Sequence, residues 1–449
     1  MNKKTSAFLA LALGLTTVFG ATAGTGHAQE AVQAQKYLVV FKDAAKLPAG
    51  YTQAIEKAGG KVNRSIDKLG AVEVISDNPD FLTAIKGSSL VQDAGVQHTI
   101  YPEQAVDKEM FTGSAFGSGH DLYEQYQWDI KQVTGNGAAW DLPGGTGASD
   151  KDIVVAIVDT GIDYTHPDIQ ANFAYGKSFV PGISDPMDED GHGTHVAGSI
   201  AGNGRVLGIG PNLKVAAYRV FGPTGGAATA DIANALMTAG DDNVDVVNMS
   251  LGGYDWFQDP NFATKDIAAD VRLFNRAIQY AIQKGVTVVG SSGNANLDLS
   301  SPGQISKEDG NNGATHRSPS SQTMIRVAAN GYELNRTYYS NYGVGKIDVT
   351  APGGDYGTAW LATRDTSLRN PNLRCLSSVP GGYAWYMGTS MASPKTAALA
   401  GLIIAQHGKD VLSPSQVKHI IQSSATDIGK NGYDGESGFG LINAVEALN

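Results

Sequence analysis

Apolar and polar positions change rhythm several times along the chain, and each change marks a different kind of structure. Lys3-Lys4 is followed by an apolar run from about Ala7 to Gly20 and then by small residues ending in Gly26-His27-Ala28. That order is the pattern of a secretory signal, residues 1–28, with cleavage expected after Ala28. A membrane anchor is the competing reading, but a run of about 14 residues falls short of the roughly 20 that span a bilayer. No later segment is long and apolar enough to cross a membrane.

Residues 29–101 carry a second rhythm. Tyr37-Leu38-Val39-Val40-Phe41 and Ala71-Val72-Glu73-Val74-Ile75 read as strands, Tyr51 to Ala58 and Phe81 to Val91 as amphipathic helices, and a last short strand lies near Val96. The order β-α-β-β-α-β predicts a small ferredoxin-like α+β domain. Residues 102–120 are polar and rich in Gly and Ser without sustained periodicity, and they read as an exposed linker.

In residues 121–449, Ile153 to Val158 and Gly285 to Gly290 are continuous β-branched apolar runs, as strands covered on both faces require. Helical patterns at Ala230 to Ala239 and Phe274 to Lys284 lie between such runs. Strands alternating with helices predict an α/β fold, a doubly wound and mostly parallel sheet flanked by helices.

Composition narrows the class. With 449 residues, 42% hydrophobic and 17% charged, the chain is globular, and its 56 glycines favour tight turns over a helical bundle. The lone cysteine, Cys375, excludes an intrachain disulfide and reads as an inert thiol. Residues 1–110 are balanced, so the whole net charge of -11 falls on the larger part, which repels nucleic acid and favours solubility in a secreted protein.

Three segments then supply an acid, a base and a nucleophile. Asp159 ends an apolar strand in Val158-Asp159-Thr160-Gly161, where α/β ligands bind. His192 lies in Asp190-Gly191-His192-Gly193-Thr194-His195-Val196-Ala197-Gly198, and imidazole is the natural general base near neutral pH. Zinc fits poorly, because His192 and His195 are three apart and the metalloprotease pattern needs four with an intervening Glu. Ser390, in Gly388-Thr389-Ser390-Met391-Ala392-Ser393-Pro394, precedes an apolar helical run; with Pro394 in the first turn, the serine stands at a helix N-terminus, where developing negative charge is favoured. Asn294 follows the strand 285–290 and offers a side-chain N–H to an oxyanion.

These segments resemble the three signatures of subtilisin-like serine proteases, the subtilases, in that family's Asp, His, Ser order, and the similarity runs from about Trp128 to the end of the chain. The resemblance implies a secreted serine endopeptidase, with Asp159, His192 and Ser390 as the triad, Asn294 in the oxyanion hole and Ser250, Leu251 and Gly252 as the strand that receives peptide substrates. It also implies that the domain 29–101 is a propeptide acting as an intramolecular inhibitor, with maturation cleavage in the linker 102–120 and a catalytic domain at 121–449. No cofactor is implied for the chemistry. Calcium is a usual structural ion in the family, but the sequence assigns it no residues: Asp168 matches one ligand, whereas the loop 202–208 is shorter than the usual site, and Asp188-Glu189-Asp190 reads as a solvated loop.

Residues 295–316 and 355–384 read as insertions beside the site, and Arg317, Trp256 and Trp385 read as exposed or core residues before specificity residues. A lipase or esterase is disfavoured, since Ser390 lacks the Gly-x-Ser-x-Gly setting and its acid and base precede it in the chain. Broad degradation, selective processing of one peptide and a non-catalytic secreted binding protein remain as alternatives.

Overall fold

The computed structural model describes residues 34–113, 117–223, 225–251, 267–303 and 324–449, with backbone alone for 256–258 and 315–317. Residues 1–28, read above as a secretory signal, Gly252 and the side chains of Arg317 and Trp256 lie outside the described residues. From Ala34 to Asn449 the chain forms one compact unit.

The N-terminal part is a four-stranded antiparallel sheet with spatial order Lys61–Ile66, Ala71–Ser76, Gln35–Phe41, Val91–Val96, and its helices are Tyr51–Lys57 and Phe81–Lys86. The element order is the predicted β-α-β-β-α-β, with Lys61–Ile66 as the strand that the sequence pattern does not locate and the second helix ending at Lys86, so that Val91 opens the last strand rather than closing a helix. Its central strand is apolar at every inner position because both faces are covered. Tyr37, Val39 and Phe41 pack with Ile55, Phe81 and Ile85, whereas Leu38 and Val40 join Leu69, Phe274 and Ile278 in a second core. Those last two residues belong to the helix Ile267–Gln283 of the larger part. Around that apolar seam Arg276 donates to the carbonyls of Phe41 (2.7 Å) and Leu69 (2.8 Å), and Arg64 pairs with Asp231 at 2.6 Å.

The larger part is built on a seven-stranded sheet with order Val349–Pro352, Ile325–Asn330, Thr287–Ser291, Val246–Met249, Val154–Asp159, Lys214–Arg219, Phe173–Ser178. Every neighbouring pair in it is parallel. Helices cover both faces, so the predicted doubly wound α/β sheet is the observed one, and the carboxyl ends of its central strands form the floor of the cleft.

The passage 102–120 departs from the exposed linker that its polarity suggested. Asp107–Met110 is a strand, antiparallel to Gly382–Met387, which completes a three-stranded sheet with Cys375–Val379. Its acidic side chains are held by Arg374, 2% exposed, which pairs with Asp107 at 3.0 Å and Glu109 at 2.6 Å. An edge strand made by backbone bonds and one buried cation leaves no apolar period to read.

Beneath the helix Thr389–His407, Lys395 and Asp129 form an ion pair at 2.8 Å, with side chains 0% and 1% exposed. The ammonium also donates to the carbonyls of Met391 (2.9 Å) and Pro352 (3.0 Å) and lies 3.6 Å from Cys375 Sγ. Burial pushes the Cys375 thiol well up, which keeps it protonated. Lys395→Met leaves the Asp129 charge buried alone and is expected to cost about 3–5 kcal/mol. Urea unfolding of the chain in a Ser390→Ala background measures it, and pairing Lys395→Met with Asp129→Leu should recover most of the loss; a drop too small to resolve would refute the pair's importance.

Candidate active site

Asp159 closes the central strand Val154–Asp159 and is 0% exposed. Its Oδ1 accepts from the Thr160 N–H at 2.7 Å, which fixes the carboxylate plane at the strand's end. His192 opens the helix His192–Ala201 and places Nδ1 2.8 Å and 3.0 Å from the two Asp159 oxygens. Two carboxylate acceptors on Nδ1 put the proton there and leave Nε2 as an acceptor. Among the described residues Nε2 is buried without a partner.

The start of that helix is clamped by Asp188, which is buried and not part of the solvated loop its sequence suggested. Its Oδ1 accepts from the Gly191 N–H (3.0 Å) and the Thr160 hydroxyl (2.9 Å), and its Oδ2 from the Thr194 N–H (2.9 Å) and hydroxyl (2.6 Å). A carboxylate here meets N–H groups that have no helical partner. Burial disfavours charge on His192, but the Asp159 carboxylate, with Asp190 and Asp188 behind it, raises the imidazole pKa above its ordinary value. His195 is the opposite case: burial, with Lys395 and His192 adding to it, holds its pKa down to about 3. It stays neutral, stacks on Tyr386 at 4.4 Å, and has Nε2 3.2 Å from the carbonyls of Cys375 and Ala384. Its role is to pack the helix.

Ser390 is the second residue of the helix Thr389–His407. Pro394 is the sixth and so lies beyond the first turn where its sequence placed it. Lacking an N–H, it leaves the Ser390 carbonyl without its helical donor. The Ser250 hydroxyl fills that place at 3.0 Å; Asn248 Nδ2 donates to the same hydroxyl (3.0 Å), and Asn248 Oδ1 accepts from the Ser393 hydroxyl (2.7 Å). This network pins the nucleophile's turn to the end of the strand Val246–Met249. The family resemblance proposed Ser250 as a substrate contact and gave no hint of this task; the Asn248-Met249-Ser250 spacing was the available signal.

Asn294 is oriented by the residue before the nucleophile: its Oδ1 accepts from the Thr389 N–H and hydroxyl, both at 2.9 Å. Its Nδ2 is thereby turned into the cleft.

The cleft is filled by the chain's own residues 99–106. Thr99–Ile100 pairs antiparallel with Ala227–Ala228, and Pro102 bridges Leu251. The Glu103 N–H donates to the Ser250 carbonyl at 3.4 Å. The Ser390 hydroxyl donates to the Glu103 carbonyl at 3.1 Å, Asn294 Nδ2 to the Gln104 carbonyl at 3.0 Å, and the Val106 N–H to the Met387 carbonyl at 2.8 Å. The structure therefore brings Asn294, Ser250, Leu251 and Ser390 together around one extended peptide and pairs Asp159 with His192 at the carboxyl end of the strand Val154–Asp159. The Ser390 hydroxyl is bonded to that peptide rather than to His192.

For an ion, Asp168 is already engaged: its Oδ2 accepts from the Val206 N–H (3.0 Å) and the Tyr383 hydroxyl (3.1 Å), and Arg205 beside it pairs with Asp121 at 2.8 Å. Among the described residues no group of three His, Cys, Asp or Glu is placed to hold a metal.

Residues 150–440 match the subtilase family, Peptidase_S8. Subtilisin amylosacchariticus of Bacillus subtilis subsp. amylosacchariticus is 30% identical over 450 residues, which cover 98% of each chain. The epidermin leader peptide processing serine protease of Staphylococcus aureus superposes with a TM-score of 0.75 at 24% identity, over 93% of this chain and 98% of that one, a likeness of fold. The nisin leader peptidase of Lactococcus lactis gives 0.60 at 26% identity, over 74% and 95%.

Proposed function

Because the chain belongs to the subtilase family and is a serine-type endopeptidase, we propose that Asp159, His192 and Ser390 carry its chemistry. The observations behind this reading are the doubly bonded Nδ1 of His192, whose Nε2 is buried without a partner among the described residues, and a serine hydroxyl that lies on a peptide carbonyl. As a substrate carbonyl is attacked by Ser390 Oγ, His192 Nε2 takes the hydroxyl proton and then passes it to the leaving amine. Asp159 holds the ring and stabilises the imidazolium. Water repeats the cycle on the acyl-enzyme. The oxyanion is held by Asn294 Nδ2 and the Ser390 N–H, one of the first-turn donors with no helical acceptor. All these groups come from the chain itself, so the chemistry needs no cofactor.

Peptide substrates bind as an added strand on Ser250, Leu251 and Gly252. The same placement of residues 99–106 supports the domain 29–101 as an inhibitor that delivers its own carboxyl end to the cleft, with cleavage inside 102–120 ending the block. Lys3-Lys4 and the apolar run behind them support export with loss of residues 1–28; among the described residues no helix is long and apolar enough to cross a membrane. Selective processing is favoured over broad digestion by the side-chain contacts at Glu103 and by the likeness to a leader peptidase.

Treating the matured enzyme with a serine-directed phosphonate should label Ser390 and stop peptide hydrolysis. Hydrolysis that continues with Ser390 unlabelled would remove this assignment.

A further inference from the structure

The way residue 103 sits in the cleft carries information about substrates that the triad does not. We propose that the enzyme selects glutamate on the amino side of the bond it cuts, and that Glu103–Gln104 is the bond it cuts in its own chain. This rests on the endopeptidase reading above.

Three separate groups of Glu103 are held. Its N–H donates to the Ser250 carbonyl (3.4 Å), its carbonyl accepts from the nucleophile Ser390 (3.1 Å), and its carboxylate Oε1 accepts from the Asn294 N–H (3.0 Å). Gln104 has one such contact, its carbonyl on Asn294 Nδ2, so in this precursor state the oxyanion donor rests one carbonyl beyond the one that Ser390 meets and has to move to the Glu103 oxygen as that oxygen takes charge. The carboxylate therefore lies in the wall formed by the loop that also supplies the oxyanion donor, and recognition and chemistry are fixed by the same residue. That wall is rigid. Gly293 has φ +100°, a region that favours glycine, and a Cβ there would collide with Asn341 Nδ2. Asn341 in turn accepts from the N–H groups of Ala295 (3.1 Å) and Leu297 (2.9 Å) and donates to the Ser292 carbonyl (2.9 Å). Gly293 itself is tied to Thr389, the residue before the nucleophile, at 3.1 Å.

A fixed N–H facing a side-chain oxygen gains most from a charged acceptor and loses its partner when the side chain is apolar. Aspartate, one methylene shorter, does not reach it from the same backbone register. In the reaction Ser390 Oγ bonds the Glu103 carbonyl carbon and the C–N bond to Gln104 breaks. The hydroxyl proton goes through His192 to the new Gln104 amine, and water then releases Glu103 as a free carboxylate.

The test uses matured enzyme and a peptide copied from residues Thr99 to Lys108, with Glu, Gln, Asp or Ala at the place of Glu103. Relative to Glu, kcat/KM is expected to fall about tenfold for Gln and about a hundredfold for Ala. Equal cutting of the Glu and Ala peptides overturns the selectivity while leaving the endopeptidase reading intact, whereas no cutting of any peptide removes both. In the full-length chain, Glu103→Ala should lengthen the life of the precursor, and sequencing of the matured protein should find Gln104 at its N-terminus. A mature chain that begins at Ala105 would place Gln104 at the nucleophile and overturn the assignment.

Discussion

Ser390→Ala is expected to lower peptide turnover by about 10⁶, the size of effect seen for the same substitution in subtilisin, a member of this family. The loss is this large because the remaining groups cannot substitute for the hydroxyl: Asp159 and His192 retain their hydrogen bonds but have no nucleophile to activate. Asn294 and the cleft survive, so a residual rate from oxyanion stabilisation and binding remains. The substitution also predicts a change in the protein itself. With no cut, the N-terminal part stays joined to the rest of the chain, and residues 99–106 stay in the cleft. Intact mass of the purified protein measures this. A Ser390→Ala chain that still matures in a culture free of other proteases would show that cleavage comes from elsewhere.

Asp159→Asn is the second large effect, about 10⁴ in turnover by analogy with the same change in another serine protease triad. An amide at 159 donates an N–H toward Nδ1, which moves the imidazole proton to Nε2, the atom that has to accept from Ser390. The pH profile separates this from simple misfolding. In the native enzyme the neutral imidazole is the base, and Asp159 raises its pKa. Activity is therefore expected to be lost as pH falls through a midpoint above the ordinary imidazole value of about 6.5. In Asp159→Asn the raising charge is gone and burial acts unopposed by it, so the acidic limb of kcat/KM should move to lower pH. An unmoved limb would mean that another group sets the profile.

The candidate site stood out in the sequence because each of its proposed groups is flanked by residues with a local reason to be there. Asp159 ends a β-branched run, His192 sits among small residues that let its helix pack, and Ser390 precedes an apolar helix. The doubly wound sheet was legible for the same reason, since strands buried on both faces are apolar at every position. What stayed hidden depends on partners distant in the chain. Asp188 looked solvated because its clamp on Thr160 and Thr194 appears only when the loop folds back on the strand. Asp107 and Glu109 looked like linker residues because their partner, Arg374, is more than two hundred and sixty positions away. Nothing near Lys395 in sequence announces its partner Asp129. Pro394 was placed one turn early, because the donor that compensates for it is Ser250, just past the strand Val246–Met249 and far from it in the chain.

If the chain is cut between its two parts as proposed, two-sided burial of the strand Gln35–Phe41 decides the fate of the small sheet. While joined, that sheet hides Leu38, Val40, Leu69 and Ala71 against a helix of its larger neighbour. Once it drifts free, the flank meets water, and a four-stranded layer with helices on one side only has little left to hold it closed. The severed piece becomes a loosened polypeptide beside an enzyme now able to digest it, so its departure runs in one direction.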